Sequence, residues 1–152
     1  MILLNEFCAP GTPDTRTAQQ KGVRVVRGRV FFYEKPEVTK AKSALFRAFA
    51  PYAPLEPYEG ALYVKVLWLM DKKSLAKCEN NTYNTKRPDV DNLAKSCLDV
   101  MTELKFWNDD AQLSEVHLTK GWSRENAGIY VQIYRLEQMD FIDRALNWRK
   151  QI

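Results

Sequence analysis

The run Leu62 to Met70 (LYVKVLWLM) constrains the fold more than any other stretch, because only Lys65 interrupts an otherwise apolar series. It is rich in Val, Leu and aromatic side chains and apolar at odd and even positions alike. That pattern predicts a strand covered on both faces, near the middle of a sheet. The run is far shorter than the ~20 residues a membrane-spanning helix requires, so no membrane partner is expected.

Other elements fall in place around it. Residues 4–8 read as a short first strand, after which Pro10, Gly11 and Pro13 open a loop. RVFFY (29–33) has the β-branched and aromatic density of a strand. Past Pro36, the stripe Val38, Ala41, Leu45 and Phe49 predicts a helix that stops at Pro51. APLEPYEG then connects to the central strand. Residues 71–88 lose apolar periodicity and read as a long exposed loop, of the kind that often carries function. From Asp91 a helix is predicted, with Leu93, Cys97, Leu98, Val100, Met101 and Leu104 on one stripe and Asn92, Lys95, Ser96, Asp99 and Glu103 opposite. FWNDD forms a turn, followed by strands over 112–120 and 128–136 separated by SRENAG. Met139, Ile142, Ala145, Leu146 and Trp148 predict a C-terminal helix within 137–152. The sum is a single α+β domain over residues 1–152, a mixed sheet of four to five strands with helices packed mainly on one face.

The three cysteines, Cys8, Cys78 and Cys97, are widely spaced, and His117 is the sole histidine, so neither a disulfide framework nor a zinc site is expected. MILLNEFCAPGTPDT does not read as a signal peptide, and free thiols without an export signal point to the cytoplasm. The net charge of +4 makes a polyanionic partner plausible. Its distribution says more: Arg16, Lys21, Arg24, Arg27 and Arg29, within a basic loop over 10–30, have no acidic residue among them and read as a phosphate-binding arm.

The segment KRPDVDNLAKSCLDVMTELKFWNDDAQ carries the chemistry. Asp89 and Asp91 are two apart, and with Pro88 holding the chain extended both carboxylates leave it on one side. Two close carboxylates repel unless a cation lies between them, and oxygen ligands with no His or Cys beside them favour Mg²⁺, with Mn²⁺ as a substitute. The turn at Asn108, Asp109 and Asp110, one helix further on, is expected to bring Asp110 back to the same end. Lys95, four residues after Asp91, lies one turn along the same polar face, where an ammonium can stabilise charge developing on a phosphate. Lys86 and Arg87 offset the repulsion between the acids and a DNA backbone. Blander readings stand beside these: Lys95 as an exposed partner of Asp99, Asp110 as a turn cap, and the arm as a solvated loop. An EF-hand is excluded, because Leu93 stands where its fifth position needs an oxygen.

These residues resemble the RusA-type Holliday-junction resolvases, common in phages and prophages. The resemblance rests on basic residues leading into DVDNLAKSCLDVM, then FWNDDAQ and a strand. It implies that Asp89, Asp91 and Asp110 are catalytic metal ligands, that Lys95 is the essential lysine, and that Arg16 to Arg29 with Lys86 and Arg87 hold DNA. It further implies a homodimer that resolves four-way junctions by paired symmetrical nicks with Mg²⁺, a metal-activated water attacking the phosphodiester, in DNA recombination and repair. Pro88, between Arg87 and Asp89, is a departure from the family's best-known member, in which an arginine directly precedes the acids. The rival readings are a non-catalytic DNA-binding accessory protein and a nucleotide phosphohydrolase.

Overall fold

The computed structural model describes residues 1–17, 21–71, 81–138 and 141–142. The long run forms β4 (Leu62–Met70), the middle strand of a five-stranded mixed sheet. Beside it lie β1 (Ile2–Pro10), β5 (Thr82–Tyr83), β6 (Leu113–Trp122) and β7 (Gly128–Arg135), in the order β1-β7-β4-β6-β5. β4 runs parallel to β6 and antiparallel to β7. A parallel pair requires a crossover. The crossover is made by α2 (Val90–Glu103), which therefore travels opposite to the two strands it joins.

Side chains alternate across β4. Leu62, Val64, Val66, Trp68 and Met70 are buried against the helices, whereas Lys65, Leu67 and Leu69 on the other face are half-buried. Helix α1 (Pro36–Phe49) contributes Val38, Ala41 and Phe49 to this interior, and α2 contributes Leu93, Ala94, Cys97, Val100 and Met101; of the predicted stripes Leu45, Leu98 and Leu104 are half-buried, and Ala94 is a buried addition to them. Phe7 stacks on Tyr52 at 4.6 Å and meets Phe49 edge-on at 5.3 Å, closing the core below β1. On the opposite sheet face Tyr63 and Tyr134 stack, with the Lys65 ammonium 5.5 Å from each ring. The α+β class with helices on one face is as expected.

The basic segment is more ordered than the loop expected of residues 10–30. Lys21–Val26 forms β2, paired antiparallel with β3 (Arg29–Glu34) as a separate two-stranded ribbon. Arg27 and Gly28 make the two-residue turn, both at positive φ (49° and 76°), the twist that favours tight hairpins. The loop expected over 71–88 contains β5, and its residues 72–80 lie outside the described residues. So do most of the residues of the predicted C-terminal helix, although Gln138, Phe141 and Ile142 are helical. Among the described residues no helix is long and apolar enough to cross a membrane.

Candidate active site

The N-terminus of α2 is built by long-range contacts. Asn84, 4% exposed, donates its backbone N–H to the Lys120 carbonyl of β6 (3.1 Å), and its amide oxygen accepts from the Lys86 N–H (2.7 Å). Lys120 returns the contact: its Nζ donates to the carbonyls of Lys86 and Pro88, both at 2.7 Å. The approach to the acids is thus pinned to the sheet. Asp89 is the N-cap residue in extended conformation (φ −68°, ψ 151°), but its side chain makes no capping bond. Asp91 lies in the first helical turn, where the helix dipole favours an anion.

Asp89, Asp91 and Lys95 are exposed, and none of their side chains has a hydrogen-bond or ion-pair partner among the described residues. The pairing of Lys95 with Asp99 does not form. The cation beside that surface that does pair is Lys42, which bonds Glu103 and has its own titration pushed upward by that contact. The Asn92 amide oxygen is buried without a donor among the described residues. Lys86 and Arg87 are exposed just upstream.

The two acids of NDD separate cleanly. Asp109 caps the 3-10 turn Asp110–Gln112: its Oδ1 accepts from the Ala111 N–H (2.8 Å), while Gln112 Oε1 accepts from the N–H groups of Asn108 and Asp109. Gln112 also donates to the carbonyls of Tyr58 and Gly60, tying this turn to the start of β4. Asp110 is exposed, and its carboxylate has no partner among the described residues. Trp107 is fully buried and donates to Thr102 Oγ1 at 2.7 Å, so it is a packing residue. Tyr83 is 82% exposed.

The expected return of Asp110 to the acid pair does not occur within the chain. Asp89 stands beside Lys120, near the C-terminal end of β6, whereas Asp110 immediately precedes β6. Between them runs the whole of α2, 14 residues or about 20 Å. Among the described residues no three carboxylate, imidazole or thiol groups lie close enough together to hold a metal ion. The pair Asp89 and Asp91 nonetheless suits a hard divalent cation, being oxygen-only, exposed and uncommitted.

The basic residues fall on two elements. Arg16 forks onto Asp14, holding that carboxyl below its usual range, so much of its charge is spent within the loop. Lys21 and Arg24 lie on β2, Arg29 on β3 and Arg27 in the turn between them, all exposed. Asn84 and Lys120 were not legible as site residues, because their roles depend on a strand pairing across sequence.

Over residues 10–134 the chain matches the family described as Endodeoxyribonuclease RusA, which puts it in the class of DNA endonucleases. The "Crossover junction endodeoxyribonuclease rusA" of Lactococcus phage r1t is 31% identical over 97 residues, spanning 64% of this chain and 72% of that relative. The chain belongs to the RusA endodeoxyribonuclease family, and the resemblance read from its sequence holds.

Proposed function

We propose that the protein is a divalent-metal-dependent, structure-selective endonuclease that resolves four-way DNA junctions by paired nicks, in recombination and repair. The observation that carries this reading is the uncommitted pair Asp89 and Asp91 at the start of α2, with Lys95 one turn along the same face. Asp89 and Asp91 would hold the cation, Mg²⁺ or Mn²⁺, through their exposed carboxylates. A divalent ion bound there would supply polarisation of the scissile phosphate and activation of a water. Lys95 stabilises the charge that develops on the phosphate oxygens. Lys86 and Arg87 draw the backbone toward an otherwise anionic surface.

A second copy completes the site. Asp110 is an uncommitted carboxylate at the wrong end of its own α2, and a two-fold axis that sets the two α2 helices antiparallel would bring Asp110 of one subunit toward Asp89 and Asp91 of the other. The same axis supplies the two related sites that a symmetrical junction requires. Such a protein acts on DNA in the cytoplasm. The test is cleavage of a labelled four-way junction against linear duplex of the same sequence, with Mg²⁺ and with EDTA, for the wild type and Asp91→Asn. Paired nicks on the junction alone, lost in EDTA and in the variant, support the reading. Junction binding without nicks refutes it in favour of an accessory protein.

A further inference from the structure

The ribbon of β2 and β3 has two unlike faces, set by its register. Directly opposed residues of an antiparallel pair share a face. Lys21 with Glu34, Val23 with Phe32 and Val25 with Val30 make one face, aliphatic and aromatic apart from the opposed charges of Lys21 and Glu34 at its end. Gly22 with Tyr33, Arg24 with Phe31 and Val26 with Arg29 make the other face cationic and aromatic. A Cβ on Gly22 would meet the Tyr33 ring at 2.3 Å, so the ring lies flat across the strand where glycine leaves room. Its outer side remains open: Tyr33 is 49% and Phe31 51% exposed. Arg24, Val26, Phe31 and Tyr33 line one shallow groove of about 690 Å³.

We infer that this Arg24–Phe31–Tyr33 face is a base-stacking platform that recognises bases exposed at a DNA branch point, and that it supplies the preference for branched over linear DNA. Flat exposed rings between arginines match the chemistry of unpaired nucleic acid, whose bases present π-faces and whose backbone is anionic. Arg24, Arg27 and Arg29 have no ion-pair partner among the described residues, so burial against a protein surface would strand them, whereas phosphates would satisfy them. A continuous duplex hides its π-faces in the stack. An open four-way junction, the form favoured without divalent metal, exposes the faces of the base pairs that flank the crossover.

The inference rests on the branched-DNA reading above, and the experiment separates the two. Binding is measured in EDTA, where no cutting occurs, to a four-way junction and to linear duplex of the same sequence, for the wild type, Phe31→Leu/Tyr33→Leu, and Phe31→Tyr/Tyr33→Phe. In parallel, 5-iododeoxyuridine at the crossover of a junction bound to the wild-type protein is photo-crosslinked and the attached peptide identified. The leucine variant should weaken junction binding about tenfold or more while duplex binding moves less than twofold, the aromatic exchange should restore it, and the crosslink should map to Phe31 or Tyr33. Equal weakening on both DNAs, unchanged junction preference, or a changed particle mass by light scattering would overturn the platform and leave the nuclease reading standing. A wild type with no junction preference at all would remove both.

Discussion

Lys120 Nζ, on β6, donates to the Pro88 carbonyl at 2.7 Å, one residue before the first acid of the site. A strand distant in sequence thus fixes where Asp89 leaves the chain. Its second bond, to the Lys86 carbonyl, makes the lysine a two-point clamp. Lys120→Met keeps the aliphatic stem and removes both bonds. Single-turnover junction cleavage should fall roughly 10- to 100-fold, with the Mg²⁺ concentration for half activity raised and junction binding in EDTA within about threefold of wild type, since a shift near 1 Å costs rate on that scale.

Sharing of acids between subunits has a distinctive genetic signature. Asp91→Asn and Asp110→Asn should each abolish cleavage, with junction binding unchanged or tighter because repulsion is removed. Dimers that contain one copy of each, isolated by two different affinity tags, should recover one intact site and nick one strand. Titration with Mn²⁺ should show one ion per mixed dimer and none per dimer of either variant alone. No recovery in verified mixed dimers would mean that Asp110 does not act across the interface.

Neighbouring aspartates should behave in opposite ways. Asp109→Ala removes the cap of the Asp110–Gln112 turn and should lower stability by about 1 kcal/mol, or about 2–4 °C in Tm. Asp110→Ala removes a carboxylate with no partner among the described residues and should leave Tm unchanged while cleavage is lost. Thermal melts beside junction cleavage distinguish them, and the reverse pattern would exchange the roles assigned here.

Burial pushes the Cys97 thiol well above its usual range. For an acid with a raised folded pKa, the unfolded chain ionises first, so the contribution of Cys97 is intact below the unfolded thiol value near 8.5 and declines as pH rises past it. Stability to urea should therefore decline between about pH 8.5 and 10 more steeply in the wild type than in Cys97→Ala. In native protein at pH 8 a thiol reagent should leave Cys97 unmodified, and rapid labelling of that residue would contradict its place in the core.

Truncation at the centre of the sheet tests the packing itself. Leu62 is fully buried at the start of β4, and Leu62→Ala should cost ~2–5 kcal/mol, read as a shift in urea midpoint with little change in slope.

Much of this was written locally. The apolar series of β4, interrupted only by Lys65, pointed to a strand covered on both faces, the three-and-four spacing from Leu93 to Met101 required a helix with one buried side, and the placement of Asp91 and Lys95 one turn apart followed from helical geometry alone. The first strand of the ribbon was less legible, because Lys21 to Val26 mixes charge and β-branched residues without clean alternation, and its turn uses Arg27 at positive φ where asparagine or aspartate is the usual signal.

Two features belonged only to the tertiary structure. The pairing of β4 with β6 in parallel forces α2 to run back along the sheet, and that direction sends Asp89 and Asp110 to opposite ends of the helix. The same pairing carries Lys120 to the loop before Asp89. Sequence periodicity reports which side of an element is buried, since burial repeats with the element's own pitch. It carries no term for which way one element runs past another, so which acids lie at the same end of α2 was decided by strand direction.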